Sequence, residues 1–116
     1  MAEELKLLIH VAQKERWDIA TKNALNFLKT AKEGETLKVV LIANGDSVTR
    51  CTKCDRELFD NLKQLVLDGG KVFLCENSLR NFEIPKSRLP EVFDTVPAAI
   101  RALVDYQRDG WIYVRP

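Results

Sequence analysis

Residues 39–43 read Val-Val-Leu-Ile-Ala, the unbroken end of a largely apolar run over 37–43. Side chains of a strand alternate between two faces, so a run apolar at every position needs cover on both. A buried strand in a parallel sheet between helix layers supplies that cover. Asn44-Gly45-Asp46, residue types suited to a sharp turn, closes the run.

The rest of the chain repeats this pattern of strand and helix. Residues 5–12 form a first apolar run, ending in the polar cluster Gln13-Lys14-Glu15-Arg16. Trp17, Ala20, Ala24, Phe27, Leu28 and Ala31 then recur at spacings of three and four, which predicts a helix stopped by Gly34. Leu58, Leu62, Leu65 and Val66 trace a second helix from Asp55 to Gly69-Gly70, and residues 71–75 make a third strand. Pro85 and Pro90 mark a loop with one helical turn near Ser78 and another after Pro85. A short strand over 92–96 leads to a helix with Pro97 at its first position. Its stripe runs through Val96, Ile100, Leu103, Val104 and Gln107 to Gly110, and residues 111–114 form a fifth strand. Strands alternating with helices favour right-handed crossovers, so the expected class is α/β, a three-layer α/β/α sandwich around a five-stranded parallel sheet.

Length and charge narrow the functions. A chain of 116 residues is expected to fold as a single domain over 1–116, with a core that needs no metal or disulfide staples. Its 18 basic and 17 acidic side chains leave a formal net charge of +1, too little field to steer it to nucleic acid or an anionic membrane. No apolar run approaches the length of a bilayer span, and the chain opens with Glu3-Glu4 where a signal peptide carries basic residues. Cytoplasmic placement, with neither nucleic acid nor membrane as partner, is the expectation. Three cysteines, an odd number, fit a reducing compartment in which thiols serve as core residues, ligands or reactive groups. The phosphate, dinucleotide, zinc-protease and hydrolase motifs are absent.

Chemistry in an open parallel sheet concentrates at the carboxyl ends of the strands. Cys75 ends the third strand and precedes Glu76-Asn77-Ser78-Leu79-Arg80, where Asn77 or Ser78 suits a helix cap. Free backbone N–H groups and a cation such as Arg80 would lower the thiol pKa and populate a nucleophilic thiolate. The competing reading is a small apolar residue that ends a strand. Cys51-Thr52-Lys53-Cys54 has the spacing of dithiol redox sites and of half a zinc site. A complete zinc site would need Cys51, Cys54, Cys75 and His10 to converge, so no metal and no cofactor is expected; two surface thiols on a loop is the plainer reading of the pair. His10 lies in an apolar strand and reads as structural, and Asn44 as a turn residue. Phe93, Trp111 and Tyr113 suit either the core or a subunit contact.

The second half of the chain carries more specific signatures. Cys75-Glu76-Asn77-Ser78-Leu79, the following Ile84 and Leu89, Val96-Pro97 and the closing Gln107-Arg108-Asp109-Gly110-Trp111-Ile112-Tyr113-Val114-Arg115-Pro116 resemble the small members of the DsrE/DsrF-like family, which includes DsrE and TusD type sulfur-relay subunits. The likeness is specific over 71–116 and extends to the strand-helix order of the first half. It implies a five-stranded parallel sheet, flavodoxin-like in appearance, with persulfide carried on the cysteine matching Cys75. It also implies trimers or hexamers, with sulfur donor and acceptor proteins as partners.

Three functions are consistent with these residues, and the first is what the resemblance implies. In the first, a sulfur carrier or sulfurtransferase, Cys75 holds sulfane sulfur and Asn77, Ser78, Arg80 and Asn44 stabilise the anion or contact the ligand. The second is a non-catalytic oligomeric module that binds a ligand or partner at the same edge. The third is a dithiol redox protein using Cys51 and Cys54, which in the carrier reading are instead candidate resolving thiols beside Cys75.

Overall fold

The computed structural model describes residues 3–116. In chain order its elements are β1 (Glu3–Val11), α1 (Trp17–Leu28), β2 (Glu35–Ala43), α2 (Arg56–Leu67), β3 (Lys71–Cys75), α3 (Glu76–Asn81), β4 (Asp94–Val96), α4 (Ala99–Arg108) and β5 (Ile112–Val114). Short 3-10 turns cover Lys14–Arg16, Gly45–Arg50 and Lys86–Arg88. The sheet runs β4-β3-β2-β1-β5 with every neighbouring pair parallel, so the α/β class and the five-stranded parallel sheet are as expected.

β2 lies at the centre, and its two faces divide the core. Val39, Leu41 and Ala43 pack with Ile9 and Leu74 beneath α1 and α2, where Trp17, Leu58, Leu62 and Leu65 are buried. Val40 and Ile42 face the other way, with Leu8 and Cys75, against Ala99 and Leu103 of α4. The layers are therefore unequal, two long helices on one face and α4 alone on the other. A buried hydrogen bond of 2.8 Å from Trp17 Nε1 to the Ser47 carbonyl ties the connection after β2 to α1. Phe93 joins the same side, its ring 5.8 Å from that of Trp17 in an edge-to-face contact.

Several boundaries differ from the sequence expectation. α1 ends at Leu28 rather than Ala31, because the Thr30 N–H and hydroxyl both turn back to the Phe27 carbonyl. Pro97 lies outside α4, since Ala98 stays extended at φ −146° before the helix begins at Ala99. The apolar stripe on α4 is also displaced. Ala99 and Leu103 are buried, whereas Ile100 is 71% and Val104 53% exposed. Val66 of α2 likewise faces outward, at 38%. The fifth strand starts at Ile112, and all three of its residues are exposed. Among the described residues no helix is long and apolar enough to cross a membrane.

Candidate functional site

Cys75 is the last residue of β3 and the N-cap of α3, so strand and helix meet at its sulfur. The residues expected to cap, Asn77 and Ser78, lie instead within α3. The side chain points to the α4 face and is 5% exposed. Its Sγ accepts a hydrogen bond of 3.3 Å from the Ala99 N–H at the start of α4. Burial pushes the thiol pKa up, but donors from the Ala99 N–H, the Ser78 hydroxyl and the N–H groups of Ser78 and Asn77 outweigh it and hold the pKa below that of a free thiol.

The Ser78 hydroxyl has a second role. Its Oγ accepts a 2.8 Å hydrogen bond from the Gly45 N–H, in the loop after β2. Gly45 has φ +63°, a left-handed conformation that suits glycine and lets the chain turn sharply out of the strand. The loop is held further by Ser47 Oγ, which donates to the Asn44 carbonyl at 2.6 Å, and by Thr49 Oγ1, which donates to that of Asp46. The turn chemistry read from Asn44-Gly45-Asp46 thus also orients a ligand of the sulfur.

Arg80 does not perform the expected task. Its guanidinium hydrogen-bonds to Asn77 Oδ1 on the exposed side of α3, and the lowered pKa at Cys75 arises from N–H and O–H donors. Glu76, beside the thiol in sequence, points to β4, where its Oε2 accepts 2.7 Å from Thr95 Oγ1 and 3.4 Å from Lys86 Nζ.

Cys51 and Cys54 are not a pair of surface thiols. Cys51 is buried in the core beneath α1 and α2, its thiol directed at the Ser47 carbonyl at 3.8 Å, and Cys54 is half-buried against the same cluster. Cys75 belongs to the opposite face of the sheet, so the central strands separate it from Cys51. The neighbouring placement of β2 and β3 therefore does not bring the two together. Burial raises the pKa of both Cys51 and Cys54, and for Cys51 the charge of a neighbouring Cys54 thiolate adds to it. Among the described residues no three or more His, Cys, Asp or Glu side chains gather as a metal site would require.

His10 is a hydrogen-bonded strand-end residue, in keeping with its structural reading. It is half-buried near the carboxyl end of β1, with Nε2 2.8 Å from Asn44 Oδ1 and Nδ1 2.7 Å from the Tyr113 hydroxyl. Tyr113 pairs in register with Leu8 in the neighbouring strand, which brings its ring to 5.7 Å from that of His10. Trp111 packs edge-to-face on Tyr106, with centroids 5.0 Å apart. Nothing in local spacing marks His10, Asn44 and Tyr113 as a group; they meet only through strand order.

The model of the DsrE/DsrF-like family matches residues 6–116. No curated protein matches the chain in sequence. Among solved structures, a protein of unknown function from Methanobacterium thermoautotrophicum is similar, with a TM-score of 0.84 at 20% identity over 97% of this chain and 99% of that one. A conserved protein of unknown function from Bacteroides thetaiotaomicron superposes with a TM-score of 0.69 at 16% identity, covering 96% and 94% of the two chains. The ychN protein from E. coli gives 0.70 at 14% identity, covering 97% and 100%. At such identities the likeness establishes the shared fold.

Proposed function

Because the chain belongs to the DsrE/DsrF-like family, we propose that it carries sulfane sulfur as a persulfide on Cys75. The observation that carries this reading is the set of donors from Ala99, Ser78 and Asn77 that lowers the pKa of a thiol otherwise raised by burial. A thiolate is the attacking form in sulfur exchange, and a lowered pKa enlarges its share at any given pH.

The chemistry needs no cofactor and no net oxidant. The Cys75 thiolate attacks the outer sulfur of a persulfide donor R–S–SH. The Sγ–S bond forms as the donor S–S bond breaks, and the bonding electron pair leaves on R–S⁻. The proton on the transferred sulfur passes through solvent to that leaving thiolate, giving RSH and Cys75–S–S⁻. Release reverses the roles: an acceptor thiolate attacks the outer sulfur and Cys75 returns as thiolate. Inorganic polysulfide serves equally as donor, with a shortened polysulfide as leaving group.

Intact-protein mass spectrometry after incubation with inorganic tetrasulfide tests the reading. Wild type and a Cys51→Ser/Cys54→Ser variant should gain sulfur mass, and Cys75→Ser should not. Loading retained in Cys75→Ser would overturn it. An unreactive Cys75 would leave a binding module at the same edge, and a loss of two protons dependent on Cys51 and Cys54 would point to dithiol chemistry.

The reading includes self-association. Ile100 and Val104 lie one helical turn apart on the outer side of α4, 71% and 53% exposed, and Ile112 on the edge strand β5 is 63% exposed. An apolar edge strand invites pairing, and a second copy of the chain would cover this side. Sedimentation should show a trimer or hexamer for wild type and a smaller species for Ile100→Glu/Val104→Glu; a monomeric wild type would remove this part of the reading.

A further inference from the structure

The carboxyl edge holds a second constellation that the donors around Cys75 do not use. Leu8, Val40, Ile42 and Cys75 share the α4 face of the sheet. Alternation puts His10 on the same face as Leu8, and Asn44 on that of Ile42. Ala43 pairs with Leu74, so Asn44, one residue later and still extended, is level with Cys75 on the adjacent strand. In the order β3-β2-β1-β5 the edge therefore presents Cys75, Asn44, His10 and Tyr113 as a row.

The hydrogen bonds give that row a direction. An amide oxygen only accepts, so the 2.8 Å contact with Asn44 Oδ1 requires the proton on His10 Nε2. In the neutral ring Nδ1 is then a lone pair, and the Tyr113 hydroxyl, 2.7 Å away, donates to it. With Asn44 Oδ1 engaged by His10 on the β1 side, the amide NH₂ is the end of the side chain that this contact does not use.

We infer that Asn44, oriented by His10 and Tyr113, donates its amide N–H to the outer sulfur of the Cys75 persulfide. The inference rests on the sulfur-carrier reading and adds the group that recognises the cargo. The donors from Ala99, Ser78 and Asn77 are directed at Sγ, whereas loading moves the charge to a sulfur one S–S bond further out, about 2.05 Å. Adjacent strands stand about 4.8 Å apart, so Asn44 and the Cys75 sulfur are neighbours on one face of the sheet. Asn44 contacts the cargo; His10 and Tyr113 are positioning residues that act through it.

Two measurements test the inference. His10 is the chain's only histidine, so the ¹⁵N spectrum carries one imidazole, and it should show the Nε2–H tautomer; an Nδ1–H tautomer overturns the assignment. The second follows the lifetime of the tetrasulfide-loaded protein by mass spectrometry, beside iodoacetamide alkylation of unloaded Cys75. Charge-assisted hydrogen bonds of this kind correspond to about a tenfold to hundredfold change, so Asn44→Ala and His10→Ala should shorten the persulfide lifetime by that factor. His10→Gln, whose amide can donate to Asn44 Oδ1, should recover part of it. Alkylation should fall by less than the persulfide lifetime in each variant, because the bare thiolate is held by the Ala99, Ser78 and Asn77 donors. Unchanged lifetimes in Asn44→Ala and His10→Ala, equal losses in lifetime and alkylation, or no rescue by His10→Gln each overturn the inference while leaving the carrier reading intact. A wild type that never loads overturns both.

Discussion

The Gly45 N–H donates a 2.8 Å hydrogen bond to Ser78 Oγ, which leaves the serine's own proton free for the Cys75 sulfur. A backbone turn after β2 thereby orients a hydroxyl on α3 that supports a thiol at the end of β3. Ser78→Ala removes both ends of this bridge. The midpoint of Cys75 alkylation should move to higher pH, and loss of the Gly45–Ser78 hydrogen bond should cost about 0.5–1.5 kcal/mol of stability. Iodoacetamide rates against pH and urea unfolding read the two effects separately. An unmoved midpoint would show that backbone donors alone hold the thiolate.

The thiols should react in a fixed order. Cys75 has the lowered pKa, and burial raises those of Cys54 and Cys51, with Cys51 fully inside the core. Limited alkylation of the native protein near neutral pH, followed by peptide mapping, should label Cys75 first and Cys51 only on unfolding. Cys51→Ala should lower stability by about 1 kcal/mol, the scale of one buried methylene-sized group, and leave Cys75 loading unchanged. Early labelling of Cys51 would contradict its placement beneath α1 and α2.

Residues 71–75 show what the sequence makes legible. Lys-Val-Phe-Leu-Cys followed by Glu-Asn-Ser fixes both the strand and the position of the thiol at its end. Helix α4 shows what it does not. Ala99, Ala102, Leu103 and Tyr106 satisfy a spacing of three and four as well as Ile100 and Val104 do, and Ile100 and Val104 are the exposed pair. Periodicity ranks the two faces by hydrophobicity, while the sheet selects the one whose small alanines let the helix approach closely. The row from Asn44 to His10 and Tyr113 was illegible for another reason. Its hydrogen bonds join residues 34 and 103 positions apart, and only the strand order β2-β1-β5 makes them neighbours. Both tryptophans found protein contacts, so aromatic content alone could not distinguish core from interface.

Two carboxylates predict the acid response. Asp55 caps α2 and meets Arg50 Nη2 at 2.9 Å; the Arg50 hydrogen bond is the largest cause of its lowered pKa. Glu76 is lowered first by Thr95 Oγ1 and then by Lys86. A carboxyl with a depressed folded-state pKa stabilises fully above its unfolded value, and that contribution is lost as pH falls through the folded value. Stability should therefore fall below the ordinary carboxylate range, and Asp55→Asn/Glu76→Gln should flatten the fall. Urea midpoints measured from neutral to acidic pH check this. An identical acid limb in the double variant would assign the response to other groups.

Glu83 offers a stabilising change away from the thiol. It follows α3 with φ +55°, a left-handed conformation that side chains with a Cβ adopt at a cost. The Glu83 N–H bonds to the Arg80 carbonyl at 3.0 Å and the Ile84 N–H to that of Leu79 at 2.8 Å, the paired bonds that end a helix on a left-handed residue. Glycine relieves the strain but gives back part of the gain through the greater freedom of the unfolded chain. Glu83→Gly should raise stability by about 0.5–1 kcal/mol, and Glu83→Val, whose branched Cβ fits that region worst, should lower it. Because α3 bears the Asn77 and Ser78 donors, Cys75 alkylation should be unchanged in Glu83→Gly if the helix end is merely relaxed. A stabilised variant with slower alkylation would instead show that strain at Glu83 helps to set the donors around the thiol.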